Sequence, residues 1–434
     1  MQAVTVTGTC NATELGPTLP FEHIYFSLRA RHRSPADLEE AQLRDTDITL
    51  ANLAAVREKS LVCLGNLESP KDEAACAAEI GRFTAAIAER GGTVVSATVT
   101  GSGGPRAAEL AALSRRTGVR VIMAVGWDSA DELPAPSEEE PDASVEGLVL
   151  ALADGISTAG GERVRAGALG CLVLRNAPED ARLLAALAGA HVRSGAPLLC
   201  ELPATGVASA EAAASAASAA LASLASLKAL GVHLPRVLVS HAQNLLLCPD
   251  GLRALLREGA RLCFTGLGMG WCAAGARPAD APWLLPPSDE TVAAALVGLC
   301  REGFAPQLLV SPGVESRLQL AAYGGGGYAQ LHRSVLPRAR RLGLAPEDEA
   351  RLTAANAAEL FCFWAPPPPP ERLVKQWSCD ACHRGFVEPI NEAEALPEDQ
   401  PYYEKFAFRY CTTKCLSAHR KAEFVQPFAV PPPV

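Results

Sequence analysis

The chain has 434 residues, 49% of them apolar and 20% charged, with a net charge of -9 and a pI near 5.5. That balance is globular rather than disordered, and the length allows one large core with a smaller appendage. The acidic sign and the lack of a basic stripe argue against a nucleic-acid partner, whose affinity is built on clustered lysines and arginines.

The opening "MQAVTVTGTC" has neither a basic lead nor an uninterrupted apolar run, so it reads poorly as a secretory signal. No polar-free stretch approaches the roughly 18 residues a spanning helix requires, and no membrane partner is expected. The expectation is a cytoplasmic protein or a subunit of an intracellular assembly, of which a cytoskeletal or ciliary complex is one example. The sequon at Asn11–Thr13 then reads as incidental. Of the 14 cysteines, ten are scattered and behave as small hydrophobes, while four fall in two close pairs near the C-terminus. A disulfide framework is not expected in a large protein of a reducing compartment.

Apolar runs then recur along the chain. They are "FEHIYF" (21–26), "TVVSATV" (93–99), "VRVIMAVGW" (119–127), "AGALGCLVL" (166–174), "PLLCEL" (197–202), "RVLVSHA" (236–242), "RLCFTGL" (261–267) and "PQLLVSP" (306–312). Runs with few polar residues describe strands buried on both faces. Eight of them, separated by helical stretches such as 70–90 and the Ala/Ser-rich 206–229, predict an α/β fold, a TIM (β/α)8 barrel. The stretch 128–147, with three prolines and eight carboxylates, reads as a solvated loop rather than a metal site. "YGGGGY" (323–328) lacks the lysine and hydroxyl of a phosphate loop. It reads as a tight, mobile connection, with an anion cradle of backbone amides as the alternative.

Five prolines at 366–370 cannot continue a helix and form a stiff spacer. They divide a barrel over 1–365 from a module over 372–434, with 366–371 as the linker. In the module Cys379 and Cys382 form CxxC, and Cys411 and Cys415 form CxxxC. Thiolates at these spacings converge on one tetrahedral zinc, and a segment with so little core would draw much of its folding energy from the metal. The four cysteines are the expected structural ligands of Zn2+, with His383 or His419 as substitutes for one of them. The second half loosely resembles treble-clef and MYND-type fingers, without the full eight-ligand MYND pattern. Such a small zinc-finger-like domain implies a protein partner.

The barrel segment resembles the phosphotriesterase-related family of the amidohydrolase superfamily across nearly all of residues 5–365. The likeness rests on "LGPTLPFEHIYF", on "GRFTAAIAERGGTVVSATVTGSGGPRAAELAALSRRTGVRVIMAVGW" and on "LLVSPGVESRLQLAAYGGGGYAQLHRSVLPRARRLGL" followed by "ANAAELF". The resemblance implies a binuclear metal centre at the C-terminal ends of the strands and hydrolysis of phosphotriesters, lactones or N-acyl compounds. The family's first-strand histidine pair falls at Phe21 and His23. Its bridging carboxylate or lysine falls at Cys171, its strand-five histidine at Glu201, its strand-six histidine at His241, and its strand-eight aspartate at Gly313. Two of the six positions are retained.

Phenylalanine and glycine supply no donor atoms. Cys171, Glu201 and His241 are capable ligands and with water can make a single-metal site, His23 adding a fourth ligand. A catalytic base would have to come from Glu22 or Glu315, and losing such a group commonly costs roughly 10² to 10⁴ in rate. The bland alternatives are a core cysteine at 171 and satisfied strand-end polar groups at 23 and 241. The favoured expectation is a pseudoenzyme: a degenerate barrel kept as a platform and joined to an interaction module, with Phe21 plugging the mouth. The alternative is a zinc-dependent hydrolase of esters, lactones or amides, holding one divalent metal at His23, Cys171, Glu201 and His241.

Overall fold

The computed structural model describes residues 2–87, 91–135, 142–203, 208–269, 286–363, 374–382, 385–389, 403–405 and 408–421. The chain divides into two compact units, residues 1–366 and 367–434.

The first unit opens with a hairpin of β1 (Gln2–Thr5) and β2 (Gly8–Asn11). Then come β3 (Thr18–Glu22), β4 (Thr93–Ser96) and β5 (Arg120–Val125), followed by a two-residue hairpin, β6 (Ile156–Ser157) with β7 (Arg163–Val164). The series ends with β8 (Ala168–Val173), β9 (Leu198–Glu201), β10 (Val237–Ser240), β11 (Arg261–Phe264) and β12 (Leu308–Val310). Eight of these form one parallel sheet in the order β3-β4-β5-β8-β9-β10-β11-β12, the sequence of a nearly closed (β/α)8 barrel.

Short helices α1 (Leu38–Arg44) and α2 (Leu53–Glu58) lie in the excursion after β3. The outer layer is α3 (Glu73–Ile87), α4 (Ala107–Thr117), α5 (Ala143–Ala153), α6 (Ala181–Ser194), α7 (Ala210–Ala229), α8 (Pro249–Arg257) and α9 (Asp289–Arg301). After β12 come α10 (Leu336–Arg341), α11 (Pro346–Ala350) and α12 (Asn356–Phe361).

The strands alternate between two cores, because successive side chains point to opposite faces. On β5, Val121, Met123 and Val125 face the helices, while Ile122 and Ala124 face the barrel axis. The axial core also holds Phe21, Cys171, Leu199, Leu238, Cys263 and Leu309, and α12 adds Leu360 and Phe361 to it. Helix α7 is long and apolar enough to cross a bilayer by length and composition. Ala213, Ala216, Ala220, Leu224 and Leu227 bury one face of it in the outer core, so its apolarity serves packing here.

Two expectations are corrected. The first strand is Thr18–Glu22 rather than 21–26: it runs through Pro20, and its pairing with β4 shifts register between Leu19 and Glu22. Proline lacks the N–H a ladder needs, so it sits where the ladder is broken. Ile24, Tyr25 and Phe26 are buried beyond the strand end. The glycine run packs around an internal anion: the buried Glu79 carboxylate accepts from the backbone N–H groups of Ala321 (3.0 Å) and Ala322 (2.9 Å). A Cβ on Gly327 (φ 60°) would lie 2.7 Å from Glu79 Oε2, which is why a side chain is excluded there.

The second unit contains two antiparallel hairpins, β13 (Val374–Ser378) with β14 (Gly385–Pro389) and β15 (Tyr403–Lys405) with β16 (Phe408–Tyr410), and a helix, α13 (Thr413–Lys421). The proline run at 366–370 and His383 lie outside the described residues.

Candidate functional site

Two side-chain constellations follow from this frame, one at the C-terminal ends of the barrel strands and one in the second unit. At the first, β3 carries Phe21 into the axial core and ends at Glu22, with His23 directly after it. The His23 Nδ1 lies 3.1 Å from Thr98 Oγ1, and the His23 carbonyl accepts from Tyr328 Oη at 3.0 Å. Burial pulls the imidazole pKa down to about 4 against the charges of Glu201 and Glu315, so His23 is neutral. His241 follows β10 in the left-handed region, at φ 60°, and its Nδ1 lies 2.7 Å from Thr265 Oγ1.

Glu201, at the end of β9, sits between the remaining candidates. Cys171 Sγ donates to Glu201 Oε1 at 3.3 Å, and His241 Nε2 lies 3.8 Å from Glu201 Oε2. Burial pushes Glu201 up, but His241, Arg31, His23 and the Cys171 donor together hold it below the usual carboxylate value. Burial and the neighbouring Glu201 push the Cys171 thiol well above its ordinary value, so it remains a donor.

Phe21, in the axial core, borders this group. Its ring meets both His23 and His241 edge-on, each at a centroid distance of 5.6 Å. An apolar ring therefore packs against both histidines. At the strand-eight position, Gly313 has φ 65°, and a Cβ there would lie 2.7 Å from Thr265 Cβ. No aspartate fits that backbone without rebuilding it.

Glu22 and Glu315 are both engaged. The Glu22 carboxylate accepts from Ser311 Oγ (2.6 Å), Gly313 N–H (2.9 Å) and Val314 N–H (2.7 Å). It bridges β3 to the segment after β12, where the sheet has no ladder, and burial raises its pKa to about 7 against those three donors. Glu315 pairs with Arg31 at 3.1 Å. Neither is placed as a free base.

Arg31, Asp128, Thr98 and Thr265 went unnoticed in the sequence. Asp128 is pushed up to about 6 by burial and by Glu201. Arg31 comes from the excursion after β3, and only the fold brings it near Glu201 and Asp128. The two threonines have a weak signal, since each is a polar residue near the end of a strand-like run, and the structure places each just past the strand itself.

The second constellation is tighter. Cys379, Cys382, Cys411 and Cys415 have all four sulfurs within 4.8 Å of one another. Cys411 Sγ lies 3.6 Å from both Cys382 Sγ and Cys415 Sγ. A tetrahedron with zinc–sulfur bonds of about 2.3 Å has edges of about 3.8 Å, so these thiols fit zinc closely. His419, one turn beyond Cys415, turns instead to Tyr410, whose Oη lies 3.0 Å from its Nδ1, and stacks edge-on to Phe408. Among the described residues this is the only group of three or more His, Cys, Asp or Glu whose ligand atoms gather so closely. The barrel candidates do not.

A parallel barrel of this topology, with side chains at its C-terminal mouth and a separate four-cysteine module, defines an amidohydrolase-type barrel fused to a treble-clef-like zinc module. Residues 1–361 match the model of the phosphotriesterase family, and the chain belongs to that family. Residues 374–427 match the model described as the Vms1-associating treble clef domain.

Among relatives, N-acetyltaurine hydrolase of Tetraodon nigroviridis is 24% identical over 371 residues, covering 83% of this chain and 97% of its own. A phosphotriesterase-related protein of Nematostella vectensis is 24% identical over 369 residues, 83% and 98% respectively. A resiniferatoxin-binding protein from Rhodobacter sphaeroides superposes with a TM-score of 0.70 at 28% identity, over 83% of this chain and 94% of that one. A lactonase from Listeria monocytogenes shares the fold, with a TM-score of 0.59 at 21% identity over 84% of this chain and all of its own.

Proposed function

We propose that the barrel is a catalytically degenerate member of its family, kept as a rigid platform, and that the zinc module docks a protein partner in an intracellular assembly. In this reading the barrel spans 1–365, the proline-rich segment 366–371 is a spacer, and 372–434 is the docking module, working in the cytoplasm. One observation carries it: the apolar Phe21 ring packs edge-on against both His23 and His241, at a position where the family resemblance implies a metal ligand. Two further features support it. Gly313 has neither a donor nor room for one, and Glu22 is committed to the seam between the first and last strands. The description of the module's family as associating with another protein supports the docking role. Zinc, when bound, cross-links the four thiolates, and its part is structural.

A hydrolase would instead use Glu201, the hub between Cys171 and His241, to hold a metal. The test is hydrolysis by the zinc-supplemented full chain, with N-acetyltaurine and simple lactones as substrates chosen from the relatives' activities. The platform reading predicts no turnover above the protein-free rate. Turnover abolished by both Glu201→Ala and His241→Ala would overturn it.

A further inference from the structure

Helix α13 divides its residues between two faces. Cys415 and His419, one turn apart, are buried in the module. Thr413, Lys414, Ser417, Arg420 and Lys421 are exposed, and at 100° per residue they fall in an arc of about 120° on the opposite side. That face carries three cations and no carboxylate. None of the three forms an ion pair among the described residues.

Helix electrostatics accounts for only part of this. Arg420 and Lys421 lie in the last turn, where the macrodipole favours positive charge, but Lys414 lies in the first turn, where it is disfavoured, and no acidic residue there offsets it. The zinc–thiolate charge does not account for Lys414 either, because its side chain is exposed while Cys415 is buried on the other face. A cation that the helix dipole does not favour and that faces solvent is open to a partner outside the module.

We infer that the exposed face of α13 is the docking surface for an extended acidic segment of a protein partner. Lys414 and Lys421 are separated by about 10 Å along the helix axis, seven residues at 1.5 Å each. Carboxylates three residues apart in an extended polyproline II segment, which has three residues per turn and a rise of about 3.1 Å, lie on one face and span about 9 Å. Ser417 lies between the two lysines and offers a hydroxyl to the intervening backbone, and Arg420 adds a forked donor that suits a carboxylate. Charge complementarity selects an acidic peptide. Three cations are few for tracking a phosphate backbone.

This inference rests on the docking role proposed for the module, and the experiment separates the two. Binding of a fluorescein-labelled octaglutamate peptide to the zinc-loaded full chain is followed by anisotropy at two salt concentrations. The expected result is binding that weakens with salt, and at least a tenfold loss in the triple variant Lys414→Gln, Arg420→Gln, Lys421→Gln, whose zinc content stays at the wild-type level. The neutral substitutions keep good helix formers in place, and the zinc content shows that the module has folded. No binding by the wild-type chain, undiminished binding by the triple variant, or preferential binding of a labelled oligothymidine would each overturn the α13 assignment and leave the docking role standing. If a Cys379→Ser, Cys411→Ser chain that has lost its zinc still bound the peptide as wild type does, the docking role of the folded module would fall, and this inference with it.

Discussion

Gly313, where the family resemblance implies an aspartate, has no room for a side chain. Its φ of 65° and the 2.7 Å approach of Thr265 Cβ mean that a side chain there strains the backbone and collides with the neighbouring strand end. Gly313→Asp is therefore expected to lower stability by roughly 1–3 kcal/mol and to add no bound metal. Urea midpoints and elemental analysis of the variant check both halves.

His23 supplies a pH signature. It is neutral in the fold, with its pKa held down to about 4, whereas the unfolded chain takes up a proton below the ordinary value of 6.5. Between pH 6.5 and 4 the unfolded state thus binds more protons, so this contribution is fully present above pH 6.5 and is lost as pH falls through about 4. His332 shifts in the same direction, also to about 4. In His23→Asn the loss of stability between pH 6.5 and 4 should be smaller than in wild type, leaving the parts due to His332 and His191 and the opposing parts of Glu22 and Asp128. An unchanged pH dependence by denaturant titration would contradict the burial argument.

At the level of elements, the weakest joint in the sheet is the seam between β3 and β12, which no ladder closes. Glu22 spans it with three hydrogen bonds, aided by Phe21 N–H to Ser311 Oγ (3.3 Å) and His23 N–H to the Val314 carbonyl (3.1 Å). Glu22→Gln keeps the size but turns an amide N–H₂ toward one of the donors. It is expected to cost about 1–3 kcal/mol, read as a lower urea midpoint with an unchanged m-value.

The eight strands were legible because a parallel barrel buries both strand faces, which leaves continuous apolar runs in the sequence. The first was misplaced because Pro20 argues against a strand, and only the break in pairing with β4 accommodates it. The role of Glu22 was illegible for a related reason: its partners lie 289 to 292 residues away, and nothing local marks a carboxylate as a seam bridge. The convergence of Arg31 and Asp128 on Glu201 was hidden in the same way. The four thiols were legible because knuckle spacing is local, so the sequence itself encodes most of the geometry.

At the scale of the whole molecule, the barrel and the thiol cluster belong to two separate units. The barrel holds its shape through two apolar cores, neither of which needs an ion. The second unit is small, and its described core is the cysteine cluster with Ala381 and Tyr410, so its fold should depend on the ion that the thiolates bind. The most direct test is zinc stoichiometry by elemental analysis on the full-length chain, on Cys379→Ser with Cys411→Ser, and on His241→Ala. The account predicts one zinc per wild-type chain, none in the double cysteine variant, and one in His241→Ala. Zinc retained by the double cysteine variant and lost on replacing His241 would place the metal in the barrel and contradict the account.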